Sequence, residues 1–493
     1  MTNITTILGL MPNSSRSALF QILSHNFNVM GGDFVMYGLF ELKNIDIHTF
    51  NLILNEIVWG LPFIIVFVGT GLYLTVKLNF FQFTHFMTSW KETILREFLG
   101  RGDRKTTGNI SGFQAISSAM AATLGIGNIA GVATALHLGG PGAIFWMWVT
   151  AFVGMATKFG EATLSVKYRQ KVGQEIFGGV MYYIQKGLGR RWLWLAALYA
   201  LFAGIATLGT GNMVQSNTVA HALLEDFGIP KLVTGVVSAV VLGMVILGGI
   251  KRIAQVAAIL VPLMTVIYIL GALIILYLNY TEIPGALYDI FYYAFNPYSA
   301  VSGFAGLGVI QTIKFGVARG IFLNEAGLGA GSIVHAQASN TPTRQGMWGV
   351  WEVFVDTMIV GTMTALVILV SGALETGKTG VVLTATAFDK GLPGPGGYFI
   401  TIAIMVFACT TMITWSFYGE KSWEYLFGSR IKVPYRLIFI VLIVFGAIGT
   451  LEDVWIFADT MNGLMALPNL IALNALAKVV QRQKNKYLKG IER

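Results

Sequence analysis

The stretch Thr123-Leu124-Gly125-Ile126-Gly127-Asn128-Ile129-Ala130-Gly131 sets two side-chain oxygens among three glycines, inside a run that is otherwise apolar. Glycine weakens a helix, so the spacing predicts an opening here. Lipid tolerates open backbone only where protein or a water-filled cavity surrounds it. Such an opening exposes carbonyls and N–H groups that can hold a small zwitterion and a cation. Thr123 and Asn128 add hydroxyl and amide oxygens, the hard ligands that suit an alkali ion. No unpaired carboxylate is near this break in sequence. The competing reading is close helix packing through small residues.

A second glycine-rich stretch runs from Lys314 through Gly316, Arg319, Gly320, Asn324 and Glu325 to Gly331. Charges are costly in lipid and should face the protein interior or a cavity. One reading is a hinge with substrate-facing backbone at Gly316 and Gly320, and a gating network of Arg319, Asn324 and Glu325. The other, preferred for Arg319 and Glu325, is a structural ion pair. Lys158 and Glu161 are three apart on one helix face and are expected to pair with each other. Gln215 offers both a donor and an acceptor, to an amino acid or to a neighbouring helix. The hydroxyls of Thr410, Thr411 and Thr414 are candidate cation ligands. Trp415 either walls a pocket or fills the core. Glu352 and Asp356, four apart, either relay protons or sit at the inner aqueous edge. Asp459 and Asn462 read as interhelical hydrogen-bonding residues.

These groups must be held by membrane helices. The chain has 493 residues, 55% hydrophobic and 12% charged, with mean hydropathy +0.67. Soluble domains carry about twice that charged fraction. The net charge of +9 calls for no nucleic acid, because excess Lys and Arg on cytoplasmic loops accounts for it. The single cysteine, Cys409, excludes an intrachain disulfide and a cysteine-rich metal site. No signal-peptide pattern opens the chain.

Hydropathy and punctuation place about eleven spans, making an all-α polytopic membrane protein. Residues 1–56 read as an N-terminal extension, and 57–112 as a peripheral first span with a cytoplasmic loop. Residues 113–278 make a first group of five helices, 279–304 an extracellular loop, 305–480 a second group of five, and 481–493 a basic tail. Lys and Arg concentrate in alternate loops, which puts the C-terminus in the cytoplasm and the N-terminus outside. The two groups enter the membrane from opposite sides, and each opens with a glycine-interrupted span. That is the layout of an inverted-repeat secondary transporter with its site between two discontinuous helices. A channel would need a continuous polar lining or filter, and an intramembrane enzyme a nucleophile–base or metal set; neither pattern is present.

Several runs resemble the alanine or glycine:cation symporter family. They are Ala122-Thr-Leu-Gly-Ile-Gly-Asn-Ile-Ala-Gly-Val-Ala-Thr, Gly139-Gly-Pro-Gly-Ala-Ile-Phe-Trp-Met-Trp, Gly154-Met-Ala-Thr-Lys, Gly211-Asn-Met-Val-Gln, Arg319-Gly-Ile-Phe-Leu-Asn-Glu-Ala-Gly and Trp415-Ser-Phe-Tyr-Gly-Glu-Lys. The resemblance covers 57–480. It implies a LeuT-like inverted 5+5 repeat preceded by one helix, in the plasma membrane. It also implies uptake of L- or D-alanine or glycine with sodium, or in some members a proton, by alternating access. It carries the substrate pocket to Thr123, Gly125, Ile126, Gly127, Asn128, Gln215, Gly316, Gly320, Thr411 and Trp415. It carries the sodium ligands to Thr123, Asn128, Thr410 and Thr411. Ile126 departs from the family, where a hydroxyl is common. The run Gly329-Ala-Gly-Ser-Ile-Val-His335 lacks the usual Ser-Ala-Pro, and the N-terminal extension is long. A neutral oxygen site favours sodium. Asp356 or Glu352 would carry a coupled proton instead, so sodium coupling would leave Asp356 dispensable.

Overall fold

The computed structural model describes residues 47–100, 108–298, 308–449 and 452–491. Most of the N-terminal extension, the basic stretch 101–105 and the end of the 279–304 loop therefore lie outside the described residues.

Helices α1 (Ile47–Val58) and α2 (Leu61–Lys77) form one apolar hairpin-free rod, His48–Lys77, with a turn at Trp59-Gly60 and Pro62 at the start of α2. The first repeat follows. Helix α3 (Gly112–Thr123) starts at a capping box: Ser111 accepts from the Gln114 N–H while the Gln114 side chain accepts from the Ser111 N–H. After the break come α4 (Val132–Gly139), α5 (Ala143–Tyr168), a two-strand hairpin of β1 (Gln170–Val172) and β2 (Glu175–Phe177), α6 (Leu193–Leu208), α7 (Val214–Phe227), α8 (Lys231–Ile246) and α9 (Gly249–Leu278). The connector holds α10 (Ile283–Tyr293), an element that the loop reading of 279–304 does not contain. The second repeat has α11 (Val309–Asn324), α12 (Pro342–Val353), α13 (Thr362–Val370), α14 (Gly380–Gly391), α15 (Gly396–Phe427), α16 (Lys432–Ile448), α17 (Glu452–Leu464) and α18 (Ala466–Ile491).

Among the described residues eight helices, or nine counting the bent pair α3–α4, are long and apolar enough to cross a membrane. The other two expected positions hold the short apolar α8 and the interrupted α11. Lipid-facing character is plain on α9, where Ile259, Leu263, Val266, Leu270, Leu273 and Tyr277 are exposed at helical spacing.

Helix α5 is the central post. It packs on α2, α11 and α12, and small residues set the distances. A Cβ on Gly316 would lie 2.5 Å from the Ala143 carbonyl oxygen, and one on Gly320 2.1 Å from Thr150 Oγ1. These two glycines therefore sit inside regular helix α11 and let it lie flat on α5. The hinge expected at Gly316 and Gly320 is displaced: the chain opens after Asn324, over 325–331.

Candidate functional site

The first break lies between Thr123 and Gly127, where the α3 and α4 segments bend by 50°. Leu124 leaves helical geometry (φ −72°, ψ 75°), and the Gly125 N–H donates to the Thr123 carbonyl at 2.8 Å. The helix resumes as a widened π-turn, Gly127–Gly131. Two further π-turns, Gly209–Met213 and Phe354–Gly361, interrupt the α6–α7 and α12–α13 spans. Such widened turns are frequent at functional sites. The Gly127–Gly131 and Phe354–Gly361 turns pack against each other and against α11.

Asn128 is fully buried at this junction. Its Nδ2 donates to the Thr123 carbonyl at 3.2 Å and to Asp356 Oδ1 at 2.7 Å. Its own Oδ1 has no hydrogen-bond partner. Asp356 is also fully buried, and its Oδ2 accepts from the Thr357 hydroxyl at 2.9 Å. Among the described residues no lysine, arginine or histidine is paired with Asp356 in an ion pair. A buried carboxylate thus stands against the break that looked neutral in sequence. Asp356 is not at an aqueous edge, and neither is Glu352, which is equally buried.

From α15, Thr411 Oγ1 reaches the Ala121 carbonyl at 3.0 Å. A Cβ on Gly125 would lie 2.7 Å from that hydroxyl, so Gly125 makes room for Thr411. Thr410 points elsewhere, to the Met264 sulfur on α9 at 3.8 Å and the Phe407 carbonyl at 2.9 Å. One helical step, 100°, separates the two hydroxyls, so of this pair Thr411 faces the first break and Thr410 faces α9. Thr414 is buried with its hydroxyl unpartnered. Trp415 is 2% exposed and lies against the Gly209–Met213 turn, where a Cβ on Gly211 would be 2.5 Å from its own Cβ. Gln215, one turn on, is buried; its Nε2 donates to the Thr210 carbonyl at 3.1 Å and its Oε1 is unpartnered. Ile126 and Thr123 are buried beside the break.

The second break faces the first. A Cβ on Gly127 would touch Leu323 at 3.5 Å and Phe322 at 3.7 Å, both in the last turn of α11. Glu325 follows in left-handed backbone (φ 52°), then Gly327 (φ 103°) and Gly329 (φ 82°). Buried charges cradle this open segment. Lys158 Nζ pairs with Glu352 Oε1 at 3.0 Å and donates to the Asn324 carbonyl at 3.2 Å. His335 Nε2 meets Glu352 Oε2 at 2.8 Å, and Gln345 meets His335 Nδ1 at 2.7 Å. Glu161 Oε1 accepts the Gly327 N–H at 2.8 Å and Asn469 Nδ2 at 2.7 Å. The Lys158–Glu161 pair expected from spacing is therefore replaced by two contacts that cross between helices. Free backbone groups of the open segment attract Glu161 more usefully than a neighbour on its own helix does.

Arg319 and Glu325 do not pair either. Arg319 lies over the Phe322 ring, 5.8 Å from its centroid. Glu325 is buried, and its Oε2 has no hydrogen-bond partner. Asn324 Oδ1 accepts the Ala326 N–H at 3.0 Å, capping the opened end. Asp459 accepts from Asn55 Nδ2 at 3.2 Å, which ties α17 to α1 as interhelical bonding requires.

The model of the sodium:alanine symporter family matches residues 44–493. The chain belongs to the sodium:alanine symporter family. The symporter is 46% identical over 434 residues to the sodium/alanine symporter AgcS of Methanococcus maripaludis, covering 86% of this chain and 94% of that one. It is 43% identical over 444 residues to an uncharacterized transporter of Haemophilus influenzae, covering 89% and 96%. Among solved structures it is similar to MhsT in complex with L-phenylalanine, with TM-score 0.52, 15% identity, and coverage of 77% and 98%. The symporter thus has a LeuT-like fold and is a multi-pass membrane protein. It is a secondary active amino acid symporter and not an enzyme.

Proposed function

We propose that this symporter imports alanine, with glycine as a smaller substrate, together with sodium. The observation that carries the reading is Asn128 held between the open turn and Asp356, with its amide oxygen unpartnered. Sodium takes hard oxygen ligands. Thr123, the Asn128 amide oxygen, freed carbonyls of the break and Asp356 supply such a set, and the cation neutralises the buried carboxylate. The donor set fits sodium without any nitrogen or sulfur ligand.

The substrate ammonium and carboxylate are assigned to the open backbone at Gly125, Ile126 and Gly127, to Gln215, and to Thr411. Trp415 forms the wall opposite. Gly316 and Gly320 act at one remove, by seating α11 on α5 so that its last turn meets Gly127. Ion and substrate draw α3–α4 and α11 together, and their joint occupancy favours closure and then release inside. Basic loops put the C-terminus in the cytoplasm and the N-terminus outside.

A proton-coupled cycle is the second reading, favoured by Asp356 having no cationic partner among the described residues. Labelled alanine uptake into liposomes, driven by a sodium gradient or a proton gradient alone, decides between them. Uptake that follows the sodium gradient supports the proposal; uptake that follows only the proton gradient overturns it.

A further inference from the structure

The carboxylates around the second break outnumber the cations that could neutralise them. Glu161, Glu325 and Glu352 are all buried, with Lys158 as the lysine among them. Lys158 is committed to Glu352, whose other oxygen takes His335. That leaves Glu161 and Glu325 without a dedicated counter-charge. Glu161 Oε2 and Glu325 Oε2 have no hydrogen-bond partner. Burying an uncompensated charge is strongly unfavourable, so two ionised carboxylates buried at this one open segment, Glu161 on the Gly327 N–H and Glu325 two residues before it, would not persist.

A second observation points into the same space. Tyr199 on α6 and Tyr418 on α15 are 0% and 1% exposed, and neither hydroxyl has a hydrogen-bond partner. Buried hydroxyls are rarely left unpaired. Both tyrosines belong to the buried cluster that also holds Trp415, Ala326 and Leu328 of the open segment. The polar groups come from every wall: Lys158 and Glu161 on α5, Tyr199 on α6, Glu325 after α11, Glu352 on α12, and Trp415 and Tyr418 on α15. His335 and Tyr183 stand behind them, on Glu352 and Asn469.

We propose that Glu161 and Glu325 share one exchangeable proton in a small hydrated chamber beneath Trp415, distinct from the sodium site at Asn128. The proton sits on one carboxylate and donates to the other, directly or through water that also serves the two tyrosines. Glu161 holds the Gly327 N–H, and Glu325 is the first residue of the open segment. Loss of the proton sets two like charges across the hinge and opposes closure. The proton therefore controls the fraction of transporters able to cycle, and it need not be transported.

The proposal goes beyond sodium:alanine symport and is tested with equal pH on both sides of the membrane. Alanine uptake into liposomes is driven by a fixed inward sodium gradient, over about pH 6 to 9. Wild type should lose at least about threefold in rate toward the alkaline end. Glu325→Gln, a neutral isostere, should flatten that fall to within about 1.5-fold. Should Glu325→Gln not reach the membrane, Glu161→Gln serves. Glu161→Gln leaves Glu325 as the one carboxylate of the pair, so two like charges cannot form and the fall should flatten as in Glu325→Gln. Tyr418→Phe removes a donor to the ionised pair and should move the fall toward alkali. A wild-type rate indifferent to pH overturns the proton site while leaving sodium symport standing. So does Glu325→Gln, or Glu161→Gln together with Tyr418→Phe, following the wild-type profile. Absence of sodium-driven uptake by wild type at every pH instead overturns the symport reading.

Discussion

Asn128 and Asp356, 228 residues apart in sequence, meet across a 2.7 Å hydrogen bond at the point where the first broken helix opens. Each is fully buried. The amide spends its N–H groups on the Thr123 carbonyl and on the carboxylate, which leaves its oxygen free. The contact is the ground for proposing Asp356 as part of the ion site, where the sequence reading expected it to be dispensable to a sodium-coupled cycle.

Asn128→Ala should raise the sodium concentration for half-maximal alanine uptake about tenfold, the equivalent of ~1.4 kcal/mol. Asp356→Asn should cut sodium-driven uptake by at least about tenfold, because the cation loses its one charged ligand. Uptake kinetics against sodium concentration check both. A wild-type sodium curve in Asp356→Asn would remove the carboxylate from the ion site.

Two neighbouring glycines should respond differently. Gly125→Ala places a methyl 2.7 Å from Thr411 Oγ1, so the Thr411 hydroxyl must leave its bond to the Ala121 carbonyl, or α15 or the break must shift. Gly127→Ala meets only ordinary contacts, at 3.5 Å or beyond. Thermal unfolding in detergent should therefore fall for Gly125→Ala and stay near wild type for Gly127→Ala. If Gly127→Val then loses uptake while remaining in the membrane, the backbone there approaches substrate; normal uptake would return the stretch to helix packing.

Trp415 should keep the pocket small. Leucine is expected to compete with alanine at least about tenfold less well than glycine does, since its side chain needs the volume the indole fills. Gly211→Ala presses on Trp415 and should lower alanine uptake as well. Equal competition by leucine would assign Trp415 to the core alone.

The buried Lys158–Glu352 pair should matter most when broken from one side. Lys158→Met leaves Glu352 beside His335 without its main cation and should cost about 3–5 kcal/mol. Lys158→Met with Glu352→Gln should recover a large part of that loss. Unfolding midpoints of the two variants compare directly, and equal midpoints would show that the pair contributes no net coupling.

Orientation is open to direct chemistry. In a Cys409→Ala background, Lys489→Cys on α18 should react with an impermeant maleimide only from the cytoplasmic side. Glu225→Cys on α7 should react only from outside. Both positions are exposed, so the opposite pattern would invert the assigned topology.

The chain by itself determined the membrane class, the all-helical character and the position of the first break. Those follow from local properties: apolar length, turn residues, and Gly125 and Gly127 inside an apolar run. The second break was legible as a glycine-rich stretch but was set one turn or two too early. Gly316 and Gly320 read as flexibility, whereas their missing side chains admit the Ala143 carbonyl and Thr150. Only the partner helix distinguishes a packing glycine from a hinge glycine. The charged residues show the same division. Spacing on one helix favours Lys158 with Glu161, and the cost of lone charges in lipid favours Arg319 with Glu325, because sequence displays neighbours along the chain. Tertiary packing decided otherwise, since the open backbone at 325–331 and the carboxylate of Glu352 offered Lys158 and Glu161 partners on other helices. Asp356 reached Asn128 through the widened turn Phe354–Gly361. A π-turn shifts the register of every later side chain on its helix, and no pattern of apolar residues announces it.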